Sequence, residues 1–251
     1  MPVGIEVKNL AKHFDGVEAL ADVSVSFAAG KLHGLIGSDG AGKTTLMRLL
    51  LNLLNIDRGT ITYLDDEKPV PLTTIRDQVS YMPSRSSLYP DLSITEHLEF
   101  FREIYMIDEK EFRARVDKLL EITRLGKFAD RKAGQLSGGM YKKLGLMCAL
   151  LQQPRALLLD EPTNGVDPIS RREFWDLLYS LAEEKILIVI ATAYMDEAER
   201  CHEVHLLDEG KLIGSGAPRA LLDAAGVRSF DELYVRRAVQ QESAKGKRND
   251  A

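Results

Sequence analysis

The sequence predicts an α/β protein built on a mainly parallel sheet, and three features carry that expectation. Strand-like and helix-like segments alternate along the chain. The runs Ala156 to Leu159 and Ile186 to Ala191 are apolar throughout, as strands buried on both faces of a parallel sheet are. A glycine-rich run, Gly37 to Gly42, stands between a short strand and a helix.

Taken in order, Val23, Val25 and Phe27 alternate with serines, the mark of a half-buried strand. Leu32 to Ile36 is a second strand, ended by the glycine run. Leu46, Leu49, Leu50, Leu53 and Leu54 repeat at helical spacing, and Asp57-Arg58-Gly59 is expected to close that helix. Val79 to Met82 reads as a strand stopped by Pro83. From Ser93 to Gln153 the pattern is mostly helical, with helices expected over Ile94–Tyr105, Glu109–Leu125 and Ser137–Gln153. Between the two apolar strands, Arg171 to Ala182 carries Phe174, Leu177, Leu178 and Leu181 on one helical face. After His205-Leu206-Leu207 the chain reaches Leu221 and Leu222, and Gln240 to Ala251 is polar and expected to be disordered. No internal repeat is present. The organisation is an α/β core interrupted by a helical insertion.

Composition bounds the function. The 251 residues hold 33 Lys plus Arg against 38 Asp plus Glu, a net charge of −5, which gives no general support for nucleic-acid binding. The longest uncharged stretches fall well short of the ~18 apolar residues that a spanning helix needs. The start, Met1 to Val7, lacks the basic and apolar regions of a signal peptide, so export of the chain is not expected. Cys148 and Cys201 are too few for a disulfide framework or a four-ligand zinc site, and a reducing cytosolic compartment fits best. Cys148 falls among Leu144, Leu146, Met147 and Leu150 and reads as core packing. Lys245, Lys247 and Arg248 form a short basic tail, either solvated or meeting anionic lipid or a partner.

Gly37, Ser38, Asp39, Gly40, Ala41, Gly42, Lys43, Thr44 and Thr45 fit G-x-x-x-x-G-K-[ST] in the strand–loop–helix context which that motif requires. Glycines let successive N–H groups converge on phosphate oxygens, and the helix N-terminus adds donors and a favourable dipole. Lys43 would reach the β- and γ-phosphates and the Thr44 hydroxyl would coordinate Mg²⁺. Ala156 to Leu159 ends in Asp160 and Glu161. Alone that is weakly specific, but beside a phosphate loop Asp160 would hold Mg²⁺ and Glu161 would orient the attacking water. Leu136-Ser137-Gly138-Gly139 comes ninety-four residues after Lys43, counted to its serine. Ser137 can cap the helix that follows, and the two glycines expose N–H groups at its start.

At this point the order of motifs resembles the nucleotide-binding subunit of ATP-binding cassette (ABC) transporters, over residues 3 to 222. The residues that carry the resemblance are Gly37 to Thr45 (Walker A), Leu136 to Gly139 (signature), Leu158 to Pro162 (Walker B) and Gly165-Val166-Asp167-Pro168 (D-loop). The resemblance implies a RecA-like P-loop NTPase core with an antiparallel β subdomain and a helical signature subdomain. The helical part would occupy about 88–153 within an ATPase domain spanning 1–222, followed by a C-terminal extension over 223–251. It also implies that Phe14 stacks on adenine, the lesser alternative being that Phe14 is core. Thr163 to Pro168 and Tyr194 to Arg200 look most like the subfamily serving ABC-2-type exporters. ATP and Mg²⁺ would be the ligands. The partners would be a membrane-spanning permease and a second cassette, identical or not, at the inner face of the cell membrane.

Two residues of the family pattern are missing. Ser84 stands where the family has a glutamine, and Ala193 where it has a histidine that contacts the γ-phosphate. Gln78, about 20 Å away at strand rise, and His202, about 13 Å along a helix, are no substitutes. Serine keeps one short hydroxyl and alanine no polar group at all. Three readings follow: a slow or asymmetric ATPase working with a complete partner, a binding-only cassette that donates its signature to a partner, or a sequence engineered at these two sites. A DNA-repair or translation ATPase is a further, weaker reading that the acidic balance disfavours.

Overall fold

The structure, a computed structural model, describes residues 3–84 and 88–249, with side chains as far as residue 239. Strands β1 (Val3–Phe14), β2 (Val17–Phe27) and β3 (Leu32–Ile36) lead into helix α1 (Lys43–Leu50). Next come β4 (Arg58–Asp65), β5 (Lys68–Val70), the single turn α2 (Leu72–Ile75) and β6 (Val79–Met82). Helices α3 (Ile94–Tyr105), α4 (Glu109–Thr123) and α5 (Gly138–Leu150) then run without an intervening strand. The chain continues with β7 (Ala156–Asp160), α6 (Pro168–Glu183), β8 (Leu187–Thr192), β9 (Glu203–Asp208), β10 (Lys211–Gly216), α7 (Pro218–Ala225) and α8 (Phe230–Asn249).

Two sheets result. One is antiparallel, ordered β2-β1-β4-β5, and the other is ordered β10-β9-β3-β8-β7-β6, parallel except for its β10 edge. Alternation along the parallel strands divides the core. Leu157, Leu159, Ile188 and Ile190 face the cluster that holds α3, α5 and α6, while Leu158, Val189 and Leu187 face α1 and the antiparallel sheet. Both faces are covered, which is why these strands read as unbroken apolar runs. Adjacent parallel strands β6 and β7 pair from Val79↔Ala156 to Met82↔Leu159, so α3 to α5 form one long crossover between neighbours. This is the α/β architecture expected.

Local chemistry sets the helix starts. Ser93 and Glu96 exchange hydrogen bonds in a capping box at α3, and Asp167 caps α6 ahead of Pro168. Three expectations need correction. The helix opened by Lys43 does not run to Asp57; it ends at Leu50, Asn52 takes φ 53°, and Leu53 is 57 % exposed. Asp57-Arg58-Gly59 is no helix stop either. Asp57 accepts from the Lys12 ammonium and the His13 N–H, both at 2.7 Å, and Arg58 opens β4. Residues 240–249, expected to be disordered, continue α8, while the side chains of Lys245, Lys247 and Arg248 lie outside the described residues.

Two features tie the parallel sheet to its surroundings. A chain of neutral imidazoles crosses β3, β9 and β10. The Ala28 carbonyl can only accept, so His33 Nε2–H donates to it (3.0 Å); His33 Nδ1 must then accept from His205 Nε2–H (3.0 Å), and His205 Nδ1 from the Ser215 hydroxyl (2.7 Å). Burial pushes both histidines below their ordinary value, His205 to about 3. On the other side, the Tyr234 hydroxyl of α8 lies 3.0 Å from the Ile36 carbonyl and 3.2 Å from that of Leu207.

Candidate functional site: a phosphate loop facing an acidic strand end

Residues 37–42 connect the C-terminal end of β3 to α1. Gly42 is the N-cap of α1 at φ 103°, and a Cβ there would come within 2.6 Å of the Ala19 carbonyl oxygen, so glycine is required. Lys43 is 5 % exposed and folds back over the loop, donating to the Gly37 carbonyl (2.8 Å) and the Ser38 carbonyl (2.9 Å). Burial pulls its pKa below the ordinary lysine value, while Glu161, Asp39 and Asp160 pull the other way. The ammonium is thus held by two loop carbonyls where phosphates would enter.

The Thr44 hydroxyl donates to Asp160 Oδ2 (2.9 Å), and the Tyr81 hydroxyl approaches the same oxygen at 3.3 Å. Burial and the neighbouring Asp160 push the Tyr81 pKa up to about 12. Asp160 itself is fully buried, and its Oδ1 has no hydrogen-bond partner. An orphaned buried carboxylate oxygen beside a threonine hydroxyl is a hard-oxygen donor set, and it fits Mg²⁺.

Glu161 follows at φ 48°, a left-handed turn that a glutamate takes only when held. Its N–H donates to the Ala191 carbonyl (2.8 Å), and its Oε2 accepts from Asn164 Nδ2 (3.0 Å). Asp160 is in register with Ala191, so Ala193 sits two residues on, where β8 leaves the sheet; the Gly37 N–H donates to the Thr192 carbonyl (3.3 Å). Ala193 therefore follows directly on a strand end that touches both the phosphate loop and the acidic pair, and it supplies no polar side chain.

Ser137 caps α5, accepting from the Met140 N–H at 3.3 Å, and both Ser137 and Gly138 are exposed. A Cβ on Gly139 would lie 2.4 Å from Ser170 Cβ, so the second glycine lets α5 approach α6. Asp167 Oδ1 accepts from the Ile169 and Ser170 N–H groups, and bonding to Ser170 holds its pKa low. Leu136 is half-buried against the core. Among the described residues no hydrogen bond joins 136–139 to 37–45. Phe14, at the end of β1, is 40 % exposed, with the Lys12 ammonium 5.2 Å from its ring centroid. That exposure leaves its ring free to stack rather than part of the core.

Two groups escaped the sequence reading. Lys142 of α5 donates to the Glu161 carbonyl (3.0 Å) and lies 3.5 Å from the Ser84 carbonyl. Its signal was a cation one helical turn after Gly138. Glu197, fully buried, accepts from the Thr163 hydroxyl and from the Trp175 indole N–H (3.2 Å). It lay in the charged run Met195 to Arg200, which gave no sign of burial.

Residues 20–164 match a family model described as ABC transporter. A probable multidrug ABC transporter ATP-binding protein of Escherichia coli K12 is 43 % identical over 90 % of this chain, which spans only 39 % of that protein. The Nod factor export ATP-binding protein I of Burkholderia lata is 38 % identical over 93 % of this chain and 78 % of its own. Among solved structures, the ATP-binding subunit of an ABC transporter superposes with TM-score 0.79 at 29 % identity, covering 92 % of this chain and 98 % of that one. A Clostridium perfringens subunit, part of an ABC transporter complex, gives 0.78 at 28 % identity with 94 % of each chain covered.

Proposed function

This chain belongs to the ABC transporter family, and from that premise we propose that it binds Mg-ATP and hydrolyses it to energise export through a separate membrane-spanning permease. No helix among the described residues is long and apolar enough to cross a membrane, which suits a subunit that docks on one at its inner face. The observation that carries the reading is the meeting of Lys43, Thr44 and Asp160 at one loop, with Asp160 Oδ1 buried and unpartnered.

The residues divide the work. Backbone N–H groups of 37–45 cradle the phosphates, and Lys43 exchanges the Gly37 and Ser38 carbonyls for β- and γ-phosphate oxygens. Thr44 and Asp160 hold Mg²⁺, which when bound offsets charge on the phosphoryl oxygens. Asn164 occupies Glu161 Oε2 and leaves Oε1 to accept a hydrogen bond from the attacking water. Phe14 supplies an exposed ring for adenine. A second cassette completes the site, because Ser137 and Gly138 are exposed and unconnected to their own phosphate loop. Ser84 and Ala193 favour slow hydrolysis, and they also support a second reading, a non-catalytic cassette that lends Leu136 to Gly139 to a partner.

Changing Lys43 to Ala removes a charge-assisted contact worth about 1.5–3 kcal/mol, roughly 10- to 150-fold in affinity. Calorimetry with Mg-ATP is expected to show that loss. Unaltered affinity would overturn the assignment. Turnover measured with and without a partner cassette separates the two readings.

A further inference from the structure

Where the family pattern has a glutamine after β6, this chain has Ser84, and a cavity of about 300 Å³ opens there, bordered by Tyr81, Ser84, Tyr141, Lys142 and Asn164. The Lys142 ammonium spans part of the gap from the α5 side. It reaches the carbonyl of Glu161 at 3.0 Å and that of Ser84 at 3.5 Å. These two carbonyls belong to different strand ends, β7 and β6, so one side chain on α5 joins three elements.

Glu161 needs such a hold. A left-handed φ costs an L-residue roughly 1–2 kcal/mol, and the conformation persists only where its surroundings determine it. Its N–H is fixed by β8 and its carboxylate by the Asn164 side chain, while its carbonyl accepts from the Lys142 ammonium at 3.0 Å and, more distantly, from the Asn164 N–H at 3.3 Å. Of these four contacts Lys142 alone brings a charged donor, the stronger kind. Turning the Glu161 peptide would swing the carboxylate with it.

We propose that Lys142 is a positioning residue for hydrolysis: its ammonium locks the Glu161 turn and ties it to the Ser84 segment, a link otherwise missing at this position. The inference rests on the ATPase reading above. It also makes α5 a shared part, since Ser137 opens the same helix five residues earlier, about 7.5 Å along its axis. Misplacing a reacting group by about 1 Å can cost on the order of 10²-fold in rate, so losing the lock should show in turnover and not in binding.

The test uses the full chain with Lys142→Met, Lys142→Gln and Lys142→Arg. Three quantities are read: Mg-ATP affinity by calorimetry, single-turnover hydrolysis per bound ATP, and exchange of the Glu161 amide hydrogen. For Lys142→Met, affinity is expected within twofold of wild type, hydrolysis down roughly 10- to 100-fold, and amide exchange at Glu161 faster. Lys142→Arg should restore most of both losses, because a guanidinium can donate to two carbonyls at once. Should Lys142→Met fail to fold, Lys142→Gln, which keeps one donor group, carries the same comparison. Hydrolysis unchanged by the loss of the ammonium, or no rescue by arginine in a folded and ATP-binding protein, overturns the inference. If wild type binds ATP but never hydrolyses it, the ATPase reading fails, and Glu161 exchange alone then decides whether Lys142 holds the turn.

Discussion

Glu197 offers a sharp test of how the loops around the site are braced. Its Oε1 accepts from Thr163 and Trp175, both 1 % exposed, and Arg171 Nε lies 3.9 Å from the same oxygen. Its Oε2 is buried without a partner. In Glu197→Leu two buried donors lose their acceptor, at about 1–3 kcal/mol each, while deleting the orphaned oxygen returns a similar amount for one group. The net expectation is a loss of about 1–3 kcal/mol. Glu197→Gln keeps an acceptor for both donors and places an amide where Oε2 stood, so it should cost about 1 kcal/mol or less. Urea unfolding at pH 7 followed through Trp175, the single tryptophan of the chain, reads both variants and reports from within the network. Glu197→Leu proving as stable as Glu197→Gln, at an unchanged denaturant slope, would refute the bracing argument.

Four other expectations concern charge and chemistry. Because burial depresses the pKa of His33 and His205, the unfolded chain takes up the protons. Stability should therefore be fullest above about pH 6.5 and fall with decreasing pH by up to about 1.4 kcal/mol per unit for His205, with His33 adding in the same direction; urea midpoints that stay level from pH 7 to pH 5 would contradict the neutral relay. Restoring Ser84→Gln together with Ala193→His should raise turnover, since one oriented donor can be worth roughly 10²–10³-fold in rate, and an unchanged rate per bound ATP means these positions are not limiting. ATP, but not ADP, should promote dimerisation, more strongly in Glu161→Gln. In mixed dimers Ser137→Arg should stop hydrolysis at the partner's nucleotide; loss confined to this chain's own nucleotide would mean that the signature acts in cis.

How much was legible in the sequence depended on where each segment's partners lie. β3, β6 and α3 match their expected bounds because glycine, proline or a serine cap stops each of them locally. β1, β4, β5 and β10 went unread. Their pairing is antiparallel and half-exposed, and β1 shifts register against both neighbours near Asn9, which has φ 49°, so no clean alternation survives. Leucines at 53 and 54 carried the helical period past the point where tertiary packing ends the helix. The phosphate loop and the acidic strand end were readable since each function needs its residues contiguous. Lys142 and Glu197 were not, because their roles depend on carbonyls and donors contributed by remote turns.

The Tyr234 contact with Ile36 has a practical edge for anyone handling this molecule. Ile36 is the last residue before the phosphate loop, and its carbonyl is gripped by a helix that begins at Phe230, beyond every recognised motif. A fragment trimmed at the end of α7 would keep Walker A, signature and Walker B, yet it would lose the clamp on the strand that aims the loop. Conversely, a dye on exposed Val239 rides the same helix as that clamp, outside the nucleotide site. Filling of the loop could then be followed by fluorescence, without labelling any residue that touches ATP.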